Sequence, residues 1–280
     1  MNKGVPKAKK SLWQRYAAAP HIVWSALFII APLFFVGYFA FTGTDGAFTI
    51  ANIKEFFTPA YLKIFARSVR LAFIATFICL LIGYPAAYFV SKAKPKTQRI
   101  LIMLIMLPMW MNFLIRTYAL QMLLLDSGII NSALNFLGFP SVKMIDTSGA
   151  VILGMVYDFL PYMVLPIYSV LAKLDIKLIE AANDLGCNSF GVMRRVILPL
   201  SKPGIFSGII MVFVPSISTF YISQKLGGDD FILIGDVIER KYLESNYNMV
   251  ASISFVLMII LLISLAIANK ASNNEVEVQP

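Results

Sequence analysis

The stretch LDIKLIEAANDLGCNSFGVMRRVILP, residues 174–199, decides how the rest of the chain is organised. Leu178, Ala182 and Leu185 recur in it at i, i+4 and i+7, the spacing that places side chains on one face of an α-helix. Asp175 stands just before these residues and can accept a hydrogen bond from the first free backbone N–H groups. The pattern predicts a short amphipathic helix that begins after Asp175.

The end of this helix and the extent of the next can be predicted from the same stretch. Gly186 suits the left-handed backbone position that closes many helices. Ser189 can cap a second helix, and Pro199 is expected to end it, because proline disfavours helical geometry in the residue before it, here Leu198. We therefore predict a helix, a tight turn, a second helix and a stop.

Long apolar runs lie on both sides of this loop. Of the 280 residues, 59% are hydrophobic and only 14% are charged, and the mean hydropathy is +0.76, which excludes a soluble globular protein of this size. A membrane-spanning helix needs about 20 apolar residues. The sequence predicts an all-α polytopic membrane protein with six transmembrane helices, near residues 22–41, 69–90, 100–125, 150–171, 204–222 and 249–268.

The first apolar run is expected to remain in the protein as a transmembrane helix. It is too long for the apolar part of a signal peptide, and no small-residue cleavage site follows it. We divide the chain into a cytoplasmic tail at 1–21, a transmembrane domain at 22–269 that contains the loop 173–203, and a cytoplasmic tail at 270–280.

The distribution of charge over the loops predicts the orientation. With both termini in the cytoplasm, the cytoplasmic segments hold fifteen Lys and Arg residues against five acids, and the opposite side holds eight against nine. Cytoplasmic loops of membrane proteins are rich in Lys and Arg. Topology therefore explains the net charge of +9, and we expect no nucleic-acid partner.

The sequence offers no set of residues for covalent catalysis or for holding a metal. Cys79 lies in an apolar run and Cys187 in a polar loop, a usage that fits neither a disulfide framework nor a metal cluster. No nucleophile and acid can be assembled around His21, and no G-x-x-x-x-G-K-[ST] sequence occurs that could cradle ATP. We expect no enzyme activity, cofactor or metal, and ATP hydrolysis only in a partner subunit.

The loop also carries a motif of a known family. It resembles the EAA loop of permease subunits of bacterial ABC importers, E-A-A-x3-G-x9-I-x-L-P, with valine in place of isoleucine at position 196. The matching residues are Glu180, Ala181, Ala182, Gly186, Leu198 and Pro199. The position before the last two spans also matches, and the resemblance implies the fold of type I importer permeases, called MetI-like.

The resemblance implies a coupling role for the six matching residues. In that family the loop forms a helix that seats in a groove of a cytoplasmic ATPase. Ala181 and Ala182 let a partner approach the helix backbone closely, Glu180 can accept hydrogen bonds, and Gly186 provides the turn back to the membrane.

Three further segments resemble the spermidine/putrescine branch of this family, in particular its B-type subunits. They are PMWMNFLIRTY at 108–118, VYDFLPYMVLPIY at 156–168 and FYISQKLGG at 220–228. This resemblance implies a bacterial inner-membrane location, surrounding lipid, a heterodimer with a second homologous permease, a cytoplasmic ATPase dimer and an extracytoplasmic polyamine-binding protein. The same architecture importing another small solute stays open.

Asp158 lies within the fourth predicted span. A charged carboxylate there has a high free-energy cost and usually faces a cavity. A cationic substrate would give it a partner, and aromatic faces attract ammonium groups. We therefore expect a substrate pathway formed by Trp110, Tyr157, Asp158, Tyr162 and Tyr221. The alternatives are that Asp158 lies near the outer surface or pairs with Arg116, and that the aromatic residues only pack.

Two other functional classes fit the sequence less well. An ion-coupled secondary transporter would need its coupling site within this chain, and the inverted repeats and broken helix pairs of many such folds are not evident. An intramembrane enzyme would need paired catalytic residues at one depth, which Asp158 alone does not supply.

Overall fold

The computed structural model describes residues 19–43, 45–228 and 231–276, and these residues form helices joined by short loops. We number twelve helices along them. They are α1 Ala19–Ala40, α2 Ala51–Phe56, α3 Pro59–Lys92, α4 Pro95–Trp110, α5 Phe113–Leu124, α6 Ile129–Phe136, α7 Ser148–Leu171, α8 Ile176–Asp184, α9 Ser189–Ser218, α10 Tyr221–Leu226, α11 Ile234–Leu243 and α12 Tyr247–Val276. This part of the chain contains no β-sheet, in agreement with the all-α prediction.

Six segments of the described chain are long and apolar enough to cross a membrane, the number that the sequence predicts. They are Ala19–Ala40, Pro59–Lys92, Phe113–Phe136, Ser148–Leu171, Ser189–Ser218 and Tyr247–Ala266. Each predicted run overlaps one of them.

The third predicted span is not one helix. The run at 100–125 is broken after Trp110, and a new helix starts at Phe113. The side chain of Asn112 causes the break, because it accepts a hydrogen bond from the backbone N–H of Leu114 at 2.9 Å and so caps the second helix. The membrane-spanning candidate is therefore α5 with α6, and α4 precedes it.

The predicted stop at Pro199 is wrong. Leu198 is helical, with φ −62° and ψ −47°, and α9 continues from Ser189 to Ser218. A single wide π-turn over Met193–Ile197 precedes the proline, and the N–H of Leu198 bonds to the carbonyl of Met193. We attribute the continuity to this turn, whose shifted hydrogen bonds leave room for the Pro199 ring.

Two smaller boundaries in this region also differ from the prediction. The cap of α9 is Asn188, whose side chain accepts from the N–H of Gly191 at 2.8 Å, and Ser189 is the first helical residue. The helix ends where Thr219 becomes extended, so that Tyr221 lies on the separate helix α10.

The centre of the molecule is a bundle of α3, α7 and α9 held together by close backbone approach. A Cβ atom on Gly204 of α9 would lie 2.8 Å from the carbonyl oxygen of Pro166 on α7. On Gly208 it would lie 2.7 Å from the sulfur of Met163, and a Cβ atom on Gly83 of α3 would lie 3.0 Å from Cγ of the same methionine. Small residues permit such contacts between membrane helices, where lipid removes the hydrophobic driving force.

The first and last spans form a second layer beside this bundle. The hydroxyl of Ser252 on α12 donates to the carbonyl of Ala40 at 3.0 Å, which joins the end of α1 to α12. Most large apolar side chains of α1 are exposed, from Ile22 to Phe39. This helix therefore presents an apolar surface to lipid or to another protein chain.

Candidate functional site

The predicted loop helix is present as α8, and its ends are fixed by the residues that the sequence indicates. The Asp175 carboxylate accepts from the N–H of Lys177 at 3.0 Å, so the helix begins at Ile176. Gly186 has φ +83°, its N–H bonds to the carbonyl of Asn183 at 2.9 Å, and the N–H of Cys187 bonds to that of Ala182 at 3.0 Å. The predicted cap and left-handed turn are confirmed.

The apolar face predicted for α8 is only partly buried. Ala182 is buried and Ile179 is half-buried against the central core, whereas Leu178 is 47% exposed and Leu185 is 87% exposed. The helix thus turns the face of Ile179 and Ala182 to the bundle.

The outward surface of this loop carries several exposed apolar side chains and the carboxylate of Glu180. Glu180 and Ala181 are exposed on α8, and Phe190 is exposed just after the turn. We call the exposed residues Ile176, Leu178, Glu180, Ala181, Leu185 and Phe190 the loop surface. A surface of this kind, at one end of the bundle, can receive a partner protein.

Leu198 and Pro199 lie apart from the loop surface, on the continuous helix α9. Leu198 is exposed, Pro199 is half-buried, and Ile197 beside them is buried in the central core. The Ser201 hydroxyl lies 3.1 Å from the Tyr84 hydroxyl of α3. The buried neighbours of the motif residues, Ile197 and Ser201, therefore anchor this part of α9 to the bundle.

Gln98, which the sequence did not single out, joins two elements at the same end. Its side-chain amide donates to the carbonyls of Ser91 and Ala93, both at 2.9 Å. Its oxygen accepts from the hydroxyl of Tyr168 at 3.2 Å, near the end of α7 that leads into the loop. A glutamine between Thr97 and Arg99 in a polar stretch gives no signal that distinguishes it in the sequence.

Inside the membrane-spanning region Asp158 pairs with Arg116, one of the alternatives left open by the sequence. Arg116 Nε lies 2.5 Å from Asp158 Oδ1, and the two side chains are 7% and 2% exposed. Arg116 Nη1 also donates to the carbonyl of Pro108 at 2.8 Å, at the end of α4. The arginine thus neutralises a buried carboxylate and satisfies a carbonyl where α4 stops.

Aromatic rings extend from this ion pair to the short helix α10. The Arg116 guanidinium lies 5.6 Å from the centre of the Tyr157 ring and 5.9 Å from that of Phe113. Phe113 in turn lies 5.8 Å from Tyr221, and Tyr221 lies 5.8 Å from Tyr118. The structure therefore brings Tyr157, Asp158 and Tyr221 into one cluster.

Two other expected pathway residues lie outside that cluster. Trp110 is 73% exposed at the end of α4, and Tyr162 contacts the ring of Phe159 at 6.4 Å. Among the described residues, no ring contact or hydrogen bond connects Trp110 or Tyr162 to Tyr221.

A second buried carboxylate, Asp236, was missed in the sequence. Its two oxygens accept from the Ser223 hydroxyl at 3.0 Å and from the Leu233 N–H at 2.7 Å, and the next N–H, of Ile234, donates to Ser68 of α3 at 2.8 Å. Burial raises the pKa of Asp236 to about 6, and hydrogen bonds from Leu233, Ser223 and Gln224 oppose that shift. The sequence could have indicated this residue through its position in the first turn of α11, because acidic side chains there accept hydrogen bonds from free backbone N–H groups.

Comparison with known proteins gives one matching family. The family described as "Binding-protein-dependent transport system inner membrane component" matches residues 79–272. Among curated relatives, the spermidine/putrescine transport system permease protein PotB of Haemophilus influenzae is 39% identical over 279 residues, covering 95% of this chain and 98% of the relative. PotB of Escherichia coli strain K12 is 37% identical over 268 residues, covering 91% and 98%.

Solved structures show the same fold at low sequence identity. One chain of a bacterial ABC transporter for import of the acidic polysaccharide alginate has a TM-score of 0.78 at 15% identity, covering 96% of both chains. A chain of the MetNI methionine ABC transporter, in inward-facing conformations, has a TM-score of 0.59 at 15% identity, covering 78% of this chain and 99% of the other. The predicted MetI-like permease fold is confirmed.

Proposed function

Because this chain belongs to the family of binding-protein-dependent transport system inner membrane components, we propose that it is the permease subunit of an ATP-driven importer that carries polyamines into the cytoplasm. The observation that carries the substrate class is the 39% identity to a spermidine/putrescine permease over 95% of the chain. The chain is a multi-pass inner-membrane protein, and both termini are proposed to be cytoplasmic.

The proposed assembly has four kinds of component. This chain would pair with a second homologous permease, and the pair would sit on a cytoplasmic ATPase dimer and receive polyamine from an extracytoplasmic binding protein. The exposed apolar side chains of α1 favour a neighbour of lipid or protein within the membrane. ATP would be hydrolysed by the ATPase subunits, with no catalytic residue from this chain.

The loop surface is proposed to couple ATP hydrolysis to opening of the path. Leu178 and Leu185 offer apolar contact area to the ATPase, and Glu180 offers a hydrogen-bond acceptor. Gly186 sets the angle between α8 and α9, and α9 runs without a stop from the loop to the far end of the bundle. A displacement of α8 would therefore be passed to the bundle through one continuous helix.

The substrate pathway is proposed to follow Trp110, Tyr157, Asp158, Tyr162 and Tyr221. A polyamine must shed water in a narrow path, and aromatic faces together with a few acceptors can offset that loss. Arg116 stands against Asp158, so the carboxylate would act on a passing cation with most of its charge neutralised. Such a pair would contribute little net charge, so the attraction for a polyamine would come mainly from the aromatic faces.

Reconstitution of the complete complex tests this function. The complex would be purified with its ATPase and second permease and placed in proteoliposomes with ATP inside and loaded binding protein outside. Uptake of radiolabelled spermidine or putrescine that depends on ATP and on the binding protein would support the proposal. Lack of uptake of both polyamines by an assembled complex would exclude them as substrates and favour another small solute.

A further inference from the structure

A lysine of this chain occupies an aromatic site at the end of the bundle opposite the loop surface. Lys225 Nζ lies 5.0 Å from the centre of the Tyr118 ring and 5.8 Å from that of Tyr221. The two rings themselves meet nearly edge to face, 5.8 Å apart. An ammonium within about 6 Å of a ring centre is attracted by the ring's negative face, so both rings act on the same charge.

The contacts of Lys225 differ from those of the other ring-bound cation nearby, Arg116. Arg116 is buried, paired with Asp158 and bonded to a carbonyl, so it is fixed in place. No carboxylate among the described residues lies within 4.0 Å of Lys225, and its side chain is half-exposed. Among the described residues, Lys225 is therefore held by fewer fixed contacts than Arg116, and its exposed side leaves space for another position.

A second position is available on the other side of the same side chain. Lys225 forms part of the wall of a cavity of about 420 Å³ between α10 and α11. Glu239 also lines this cavity and accepts a hydrogen bond from Gln224. A carboxylate on the wall gives a displaced lysine a counter-charge without a large movement of the backbone.

We propose that Tyr118 and Tyr221 form an alkylammonium-binding cage in which Lys225 is a resident competitor, displaced toward the cavity by an incoming primary ammonium group. The inference rests on the proposed polyamine substrate, whose ends carry the same group as a lysine side chain. The cage lies between the end of α9 and the ion pair of Arg116 and Asp158, joined to the pair through Phe113. The cage is thus an entrance site, and a substrate that enters it must first displace a tethered lysine.

The first test is equilibrium binding of radiolabelled spermidine to the purified, nucleotide-free complex without binding protein. Lys225→Met keeps the length of the side chain and removes the competing charge, so the dissociation constant should fall about tenfold. Adding Tyr118→Leu to that variant should remove the gain. Lys63→Met is the matched control, because Lys63 is an exposed lysine near the same end of the bundle, and it should bind as the wild type does.

The second test follows Lys225 directly. Reductive ¹³C-dimethylation keeps the charge of lysines and gives each a methyl signal, which ring currents shift upfield when it lies on an aromatic face. Titration with spermidine should move the signal that Lys225→Arg deletes toward the position of exposed lysines. The cage proposal would be wrong if the Lys225 methyl signal did not move at saturating spermidine, or if Lys225→Met had the dissociation constant of the wild type.

Failure of the cage and failure of the proposed function give different results. If the wild-type complex imports spermidine while Lys225→Met shows no tighter binding, the function stands and the cage is wrong. If the wild-type complex imports neither spermidine nor putrescine, the proposed function is wrong, and the alkylammonium cage falls with it.

Discussion

Replacement of Gly186 by valine isolates the geometry of the coupling turn. Gly186 has φ +83°, and a Cβ atom built on it would meet nothing within 4 Å. The effect of valine is therefore conformational rather than steric. The left-handed position costs an L-residue about 1–2 kcal/mol, which lowers the population of the native turn by about 5- to 30-fold. Docking of α8 on the ATPase should weaken by a similar factor.

Gly138 provides a matched control at the other end of the bundle. It also has φ +83° and no neighbour within 4 Å. It closes α6 with the same hydrogen bonds, from Gly138 N–H to Asn135 at 3.0 Å and from Phe139 N–H to Leu134 at 2.9 Å. Gly138→Val thus applies the same backbone penalty away from the loop surface.

The assay compares the wild type with three variants after purification from the same membranes. Gly186→Val should reach the membrane in normal amounts, lose most of the co-purifying ATPase and import polyamine more slowly, whereas Gly138→Val should keep the ATPase. Gly186→Asn should recover part of the activity, because asparagine tolerates the left-handed region. If Gly186→Val retains both ATPase and uptake, or if Gly138→Val loses as much ATPase, the turn does not position the coupling helix.

Three further predictions concern charge. Asp158→Asn leaves Arg116 buried without its partner and should destabilise the complex by about 3 kcal/mol; Arg116→Gln in the same chain should recover part of the yield, and full yield of the single variant would refute the pairing. The pKa of Asp236 is raised from 3.8 to about 6, so the folded state holds this proton more tightly than the unfolded state, and stability should fall as pH rises from about 4 to about 6 and then level off. Asp236→Asn should flatten that part of the melting-temperature profile, and an unchanged profile would contradict it. Cytoplasmic termini require that, in intact cells, Asp229→Cys is labelled by an impermeant reagent and Lys94→Cys is protected; the reverse pattern would invert the topology.

Features decided by neighbouring residues could be predicted from the sequence. Asp175 and Gly186 act through hydrogen bonds and φ values within a few residues, so both ends of α8 follow from local chemistry. The six spans follow from length and hydropathy in the same way. Pro199 was misread because its effect depends on the π-turn before it, which no residue type specifies.

Features decided by contacts between distant segments could not be predicted. The choice between an ion pair and a free carboxylate at Asp158 depends on where α5 meets α7, and two sequence positions 42 residues apart leave it open. The buried face of α8 likewise depends on contacts with the central core, which Ile179 makes. The helical periodicity instead pointed to Leu178 and Leu185, which are exposed. Asp236 accepts from Leu233 at the start of its own helix and from Ser223 of α10, and only the first of these partners lies in its own sequence neighbourhood.

The π-turn over Met193–Ile197 has a consequence for how the chain can change in length. It holds one residue more than an α-helical turn would need, so deleting any one residue there would restore regular winding. The wide turn already accommodates that residue, so the cytoplasmic part of α9 and the loop before it would keep nearly the same orientation relative to the bundle. A one-residue deletion in the regular helix on either side of the turn would instead rotate the loop surface by about 100°. Single-residue deletions should therefore be tolerated better within Met193–Ile197 than elsewhere in the cytoplasmic part of α9.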